Sequence, residues 1–381
     1  MASSAGAATA WAGATGRAAP RTLDALETPA AVVDLDRMTA NLDRMAVYVR
    51  AHGLALRPHI KTHKTPELAA EQLRRGAVGV TVATPREAEV MAAVADDILV
   101  AYPPVGRPRL DRLLALPEHV RLTIALDSAD ALAALDAAAR DAGREVGVLI
   151  ELDLGMRRCG VPTPEAAVAL ARAAAEARGV AYRGVMFYPG HIREPVDEQG
   201  PALERLNADL ARFLDALTAA GLEPATVSGG STPAAFASHA LDGLTEIRPG
   251  TYIFNDRTTA LIGACSWDDC AYTILATVVS TAVPGQAVVD AGSKALAREE
   301  IRAPGATGFG ALLDRPHVVV RATSEEHGIL DLSRTDWRPR VGDRVRIVPN
   351  HVCVSVHLQD RLWGVRGEEV VGEWTVAARG R

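Results

Sequence analysis

"LALRPHIKTHKTPELAAEQLRRG", Leu54 to Gly76, runs through three textures in succession. A short apolar run comes first, then a turn dense in lysine and histidine, then a segment whose apolar residues recur at helical spacing. That is the pattern of a strand, a loop and a helix. The same order repeats downstream. The runs "VGVTVAT", "DDILVAY", "RLTIAL", "VGVLIEL", "YRGVMFY", "ATVSGG" and "TEIRPGTYIF" alternate with helix-period stretches such as "PREAEVMAAVA" and "LERLNADLARFLDALTAAG". Short apolar strands alternating with amphipathic helices indicate βα units and a parallel sheet. Eight such runs, counting the first, predict a closed (β/α)8 barrel rather than an open sheet. Helix ends are marked as well. Ser128 and Thr163 stand at N-cap positions, with Pro164 at the first helical position, and Gly143 and Gly221 close two helices.

Past Ala264 the texture changes. "AYTILATVVSTAV", "HVVVRATSEEHGIL" and "DRVRIVPNHVCVSVHLQDRLWGV" are β-rich, with glycine, proline and acidic residues between them. They predict a second, mostly antiparallel β domain. The expected division is a flexible tail over residues 1–26, the barrel over 27–263 and the β domain over 264–381. No low-complexity linker separates the last two, so they should pack tightly. The opening "MASSAGAATAWAGATGRAAP" lacks a basic region ahead of its apolar residues, and Arg17 comes too late for a secretory signal.

Bulk composition narrows the partners. The 381 residues are 48% hydrophobic and 23% charged, an ordinary globular balance. A net charge of -6 argues against a nucleic-acid footprint, which needs a concentrated basic surface. The basic cluster at Leu54–Gly76 is therefore local, and points to chemistry or to a small anionic ligand. No apolar run approaches the ~18 residues of a membrane span, so no membrane partner is expected. Cys159, Cys265, Cys270 and Cys353 include no CxxC pair, which fits a reducing cytoplasm.

The active site of a (β/α)8 barrel lies at the C-terminal ends of its strands. Those ends carry His59 and Lys61, Thr84, Tyr102, Asp127, Arg158, Tyr188 with His191, the turn "SGGST" and "RPGTY". Gly229 and Gly230 let backbone N–H groups approach a ligand, and Ser231 and Thr232 add hydroxyls. With Gly250 and Thr251 they compose a phosphate site, at the loops where barrels commonly bind one. A plain strand-to-helix turn is the simpler alternative. A lysine opposite a phosphate site implies pyridoxal 5'-phosphate, with Lys61 as the attachment point. Lys64 is the rival nucleophile, three residues on at the opening of a helix, and strand alternation favours Lys61. In the β domain, His351 and Cys353 are one residue apart, so on a strand both side chains face the same way. Imidazole and thiolate make a half-site for zinc, open to water and substrate. A buried strand pair is the alternative reading, and His357 is a further ligand candidate or a surface residue.

Taken together, "RPHIKTHKT", "DLGMRRCGV", "GVMFYPGH", "VSGGSTP", "EIRPGTYIFND", "DAGSKAL", "SEEHG" and "PNHVC" resemble the metal-activated, fold-type III pyridoxal phosphate enzymes. These are the D-serine dehydratase and D-threonine aldolase group, whose barrel is akin to that of alanine racemase. The resemblance runs in order from about Thr28 to the metal stretch. It implies an alanine racemase-type barrel with a C-terminal metal-binding β domain. Lys61 would carry the cofactor, and Arg158 would touch its phenolic oxygen. Gly229, Gly230, Ser231 and Thr232, with Gly250, Thr251 and Tyr252, would hold its phosphate. His59 and Tyr188 are expected against the cofactor and His191 against the substrate. His351 and Cys353 would bind zinc, or else manganese or magnesium. A β-hydroxy D-amino acid is the implied substrate and a homodimer the implied assembly. Dehydratase-like members carry His-x-Cys and aldolases His-x-Asp, so Cys353 favours dehydration over retro-aldol cleavage. A racemase or a non-catalytic cofactor carrier shares the barrel but has no use for the metal pair. "FYPGH" departs from the "HxGH" and "YxGH" forms of the group, and His357 replaces the more usual asparagine.

Overall fold

The computed structural model describes residues 21–380, which build two sheets. After an entry strand, β1 (Ala30–Asp34), come eight short parallel strands. They are β2 (Ala55–Leu56), β3 (Val80–Val82), β4 (Asp97–Val100), β5 (Arg121–Leu126), β6 (Val146–Leu152), β7 (Val180–Phe187), β8 (Thr226–Gly229) and β9 (Glu246–Ile247). From β3 onward each pairs with the next. β9 pairs back with β2, and a parallel bridge from His59 to Thr81 joins the end of β2 to β3. The cylinder is closed, as the eight runs predict.

The helices lie outside and bury one face each. In Ala129–Asp141 the buried residues are Leu132, Leu135, Ala138 and Ala139, a stripe at helical spacing. Its N-cap Ser128 accepts a hydrogen bond from the Ala131 N–H, and Thr163 does the same for Ala166 ahead of Pro164. Each cap contributes about 1 kcal/mol to its helix. Gly143 and Gly221 adopt φ of +63° and +70°, the left-handed conformation that ends a helix.

The second sheet holds β10 (Tyr272–Ser280), β11 (Gln286–Val289), β12 (Gly310–Leu312), β13 (Val320–Thr323), β14 (Gly328–Asp331), β15 (Arg344–Pro349), β16 (Arg361–Arg366) and β17 (Glu369–Thr375). Its pairings are antiparallel except that of β1 with β16.

Three expectations change at this level. A division after residue 263 puts Ala30–Asp34 with the barrel, but β1 pairs with β10 on one side and β16 on the other. Val32 and Val33 are fully buried there, so the strand completes the second sheet's core. The end of the expected tail is also packed. Leu23 and Leu26 are buried, Leu23 N–H donates to the Glu368 carbonyl, and Thr22 bridges Glu369. Residues 1–20 of that tail, including the stretch read for a signal, lie outside the described residues. Finally, His351 and Cys353 are not on a strand. β15 stops at Pro349, His351 is an N-cap, and Val352–His357 is helical. The Asp256 carboxylate accepts from the Val352 N–H and so caps this helix from a distant loop, overriding a valine-rich β propensity.

Candidate active site

Lys61 sits on a single 3-10 turn, Ile60–Thr62, just past the end of β2. His59 caps the turn, its Nδ1 accepting from the Lys61 N–H at 3.5 Å. The Lys61 side chain opens on a cavity of about 420 Å³ at the C-terminal mouth of the barrel, roofed by the second domain. Its Nζ lies 5.7 Å from the centroid of the Tyr188 ring, and the Arg158 guanidinium lies 5.1 Å from the same ring. Burial, with Lys61 and Arg248 nearby, holds the His59 imidazole well below its ordinary pKa, so it is neutral.

The rival lysine is engaged elsewhere. Lys64 is buried and pairs with the Glu87 carboxylate, which also accepts from the Ala83 N–H at 2.6 Å. Its ammonium is held by Glu87 in the helix Pro85–Met91, and Lys64 does not line the cavity.

Across from Lys61, Gly230, Ser231, Thr232, Gly250 and Thr251 line the cavity. Gly230 has a φ of +86°, open to few residues but glycine. A β-carbon on Gly250 would meet Thr62 Oγ1 at 2.7 Å and the His59 carbonyl at 2.9 Å, so glycine is required where the two turns touch. The Ser231 and Thr232 hydroxyls are buried and have no hydrogen-bond partner within the protein. Buried hydroxyls are nearly always satisfied, so two adjacent orphans facing one cavity fit an anionic ligand such as a phosphate.

The opposite wall belongs to the second domain. The Asp256 carboxylate accepts from His351 Nδ1 at 3.1 Å, and the charge on Cys353 acts on the ring from close by. Chiefly through the charge on Cys353, and then through Asp256, the imidazole is held well above its ordinary pKa despite burial. Burial pushes the Cys353 thiol up, but His351, Lys61 and the Thr62 hydroxyl at 3.2 Å outweigh it and bring it down to about 7. A thiolate next to an imidazole whose other nitrogen is fixed by a carboxylate suits zinc. Among the described residues no group of three or more His, Cys, Asp or Glu is arranged to hold an ion. The pair would thus leave further coordination positions to solvent and substrate.

Three expected contacts fall outside the wall. Gly229 ends β8, where a β-carbon would meet the Phe187 ring at 2.3 Å, so it serves packing. Tyr252 is buried and turns its phenol to Gln72, leaving only its backbone near the phosphate turn. His191 is exposed beside Gly155. Asp127 accepts from the Gly160 N–H in the loop that carries Arg158, and Thr84 caps a helix. His357 ends the short helix after Cys353, away from the cavity.

Sequence reasoning missed Asp256, Glu151 and Arg248. Glu151 is buried on β6 and lines the cavity, its carboxyl pushed up by burial. Arg248 donates to Ser228 Oγ and the Phe187 carbonyl on the cavity floor, and burial lowers it to about 10. Both are charged residues within or just after apolar strand runs, and that was the available signal.

Comparison with known proteins places this arrangement. The family described as alanine racemase, N-terminal domain, matches residues 33–258, and a serine dehydratase domain matches residues 271–365. The chain belongs to the alanine racemase N-terminal domain family. Among its relatives, the D-threo-3-hydroxyaspartate dehydratase of Delftia sp. (strain HT23) is 39% identical over 353 residues, 88% of this chain and 93% of that protein. The crystal structure of D-threonine aldolase from Filomicrobium marinum superposes with a TM-score of 0.86 at 35% identity, covering 94% of this chain and 98% of that one. A cysteine-to-alanine variant of D-threo-3-hydroxyaspartate dehydratase, solved in a metal-free form, gives the same score at 36% identity over 93% and 98% of the two chains. No helix among the described residues is long and apolar enough to cross a membrane.

Proposed function

We propose that the protein is a pyridoxal phosphate- and divalent metal-dependent lyase that dehydrates a β-hydroxy D-amino acid to a 2-keto acid and ammonia. One observation carries this reading. The Lys61 side chain, the orphaned Ser231 and Thr232 hydroxyls and the His351–Cys353 pair open on a single cavity. The cofactor would be held at its phosphate by residues 230–232 and 250–251 and covalently by Lys61. When bound, it supplies an electron sink for the pair left at the substrate Cα. A divalent ion on His351 and Cys353, zinc first and manganese or magnesium as alternatives, supplies a Lewis acid for the departing hydroxide.

The chain's own residues do the rest. Lys61 Nζ takes the α-proton. Tyr188, flanked by Lys61 and Arg158, gives the reacting region an apolar wall. Arg158, lining the same cavity, would supply positive charge toward the cofactor ring. Asp256 fixes the His351 ring through Nδ1, which leaves the other nitrogen to ligate an ion. The β-hydroxyl leaves with its bonding pair, and water converts the released enamine to keto acid and ammonia.

Retro-aldol cleavage to glycine and an aldehyde is the second reading, favoured by the likeness to D-threonine aldolase. Cys353, a softer ligand than a carboxylate, supports dehydration over it. A racemase or a cofactor carrier would leave the His351–Cys353 pair without a task. Four free cysteines suit a reducing cytoplasm, where we place a homodimer. The decisive experiment incubates metal-replete protein with D-serine, D-threonine and D-3-hydroxyaspartate. Keto acid is the expected product. Glycine with an aldehyde selects the aldolase, and no product from any of the three refutes the lyase.

A further inference from the structure

Lys61 and the phosphate turn come from opposite ends of the barrel sequence, yet a lysine amine and a phosphate must be held at one separation to share a cofactor. The 3-10 turn that carries Lys61 touches the phosphate turn directly at its near end. There the His59 N–H donates to the Pro249 carbonyl at 3.0 Å, and Gly250 lies against Thr62. These contacts, with the Thr62 hydroxyl against the Cys353 thiol at 3.2 Å, hold the near end of the turn.

The far end has a second attachment, made by side chains outside the cavity wall. His63 closes the turn and is fully buried. Its Nδ1 accepts from the Thr65 N–H at 3.1 Å, so the ring proton sits on Nε2, which donates to Gln72 Oε1 at 3.1 Å. Gln72 Nε2 then donates to the Tyr252 hydroxyl at 2.9 Å. Gln72 is 1% exposed and Tyr252 4% exposed, so water does not compete for these bonds. Tyr252 lies in the 3-10 turn Thr251–Ile253 that directly follows Gly250. The chain of bonds therefore runs from the lysine turn, through the helix Pro66–Arg74, to the phosphate turn. Each link has one donor and one acceptor in a fixed order.

We infer that His63, Gln72 and Tyr252 are positioning residues, forming a buried strut that sets the orientation of Lys61 relative to the phosphate cradle. This rests on the proposed cofactor site. The strut does not touch the cofactor. Its effect is on the effective concentration of the Lys61 amine at the cofactor's aldehyde, and misplacement of reacting groups by about 1 Å can cost on the order of 100-fold.

The test compares two probes on apo-protein. Pyridoxamine phosphate uses the phosphate cradle but has no aldehyde for Lys61, whereas pyridoxal phosphate uses both. The ratio of their dissociation constants measures the lysine's contribution. Tyr252→Phe keeps the ring and breaks one link, and Gln72→Met breaks both. Both variants should weaken pyridoxal phosphate by roughly 10- to 100-fold. Pyridoxamine phosphate should change by no more than about threefold, and borohydride trapping on Lys61 should slow in parallel. If both probes weaken together, or neither does, the strut is structural packing and the inference is wrong. Should Gln72→Met fail to fold, Tyr252→Phe decides alone. Wild-type protein that binds neither probe would overturn the proposed function and the strut with it. A wild type that binds both, with an unchanged ratio in the variants, overturns the strut alone.

Discussion

Replacing Lys64 by methionine separates the two lysines of the opening motif by their physics. Lys64 and Glu87 are 7% and 1% exposed and pair in the barrel wall. Methionine keeps the side chain's length and apolar stem, and the φ of +56° at this position is borne by either residue. What is lost is the ammonium. Glu87 would keep the Ala83 N–H but would remain a buried carboxylate without a counter-charge. Removing one partner of a buried pair costs about 3–5 kcal/mol, which lowers the folded-to-unfolded ratio by two orders of magnitude or more. Lys61→Met removes no ion pair and should cost about 1 kcal/mol or less. The assay is urea unfolding of apo-protein, followed by borohydride reduction of the cofactor complex and peptide mapping. The expected result is a double dissociation. Lys64→Met shifts the unfolding midpoint and still labels at position 61, while Lys61→Met unfolds normally and takes no label. The pair Lys64→Met with Glu87→Gln should recover most of the loss, because no unpaired charge remains. A stable Lys64→Met, or a label on Lys64 in the wild type, refutes this assignment.

Other outcomes follow from the same geometry. Ser231→Ala and Thr232→Val should each weaken pyridoxal phosphate binding by roughly 10- to 100-fold, the worth of a hydrogen bond to a charged group, as read by equilibrium dialysis. Chelation should abolish turnover while leaving the cofactor's visible absorbance, and Cys353→Asp should shift metal preference from zinc toward manganese or magnesium and lower keto-acid output. Burial holds the His63 imidazole at about 4, well below its ordinary 6.5. Below pH 6.5 the unfolded chain takes up a proton that the folded chain refuses. Stability should therefore fall as pH drops from about 6.5 to 4 and level off below that. The gap between the two values is worth about 3 kcal/mol, and His63→Gln should make that part of the urea-midpoint profile shallower, leaving the share of the likewise depressed His59.

The barrel was legible because each of its units is local: a few apolar residues, a turn and an amphipathic helix, all within about 30 residues. The phosphate turn was legible for a similar reason, since Gly230, Ser231 and Thr232 are adjacent in sequence and carry their chemistry in their composition. What escaped was non-local. Nothing near Asp256 announces that its carboxylate serves His351 and Val352, 95 and 96 residues away. The helix at Val352–His357 defeated β propensity because that remote carboxylate caps it. Tyr252 was read as a phosphate contact from its neighbours Gly250 and Thr251, but a 3-10 turn sends its phenol in another direction, to Gln72.

The placement of β1 between β10 and β16 bears on how the polypeptide is made. Ala30–Asp34 leaves the ribosome early, but its first partner, Tyr272, is 238 residues further along. At 5–20 residues per second that is a wait of about 12–48 s, during which the barrel can assemble behind it. Through that interval the segment Ala30, Ala31, Val32, Val33 presents an unpaired apolar edge. The last strands to be synthesised must then close around the first. A chain cut between the two sheets would give a C-terminal piece whose sheet lacks its middle strand. It would also give an N-terminal piece with a strand seeking neighbours. The two sheets are thus one folding unit by topology, stitched together by the segment that is made first and docks last.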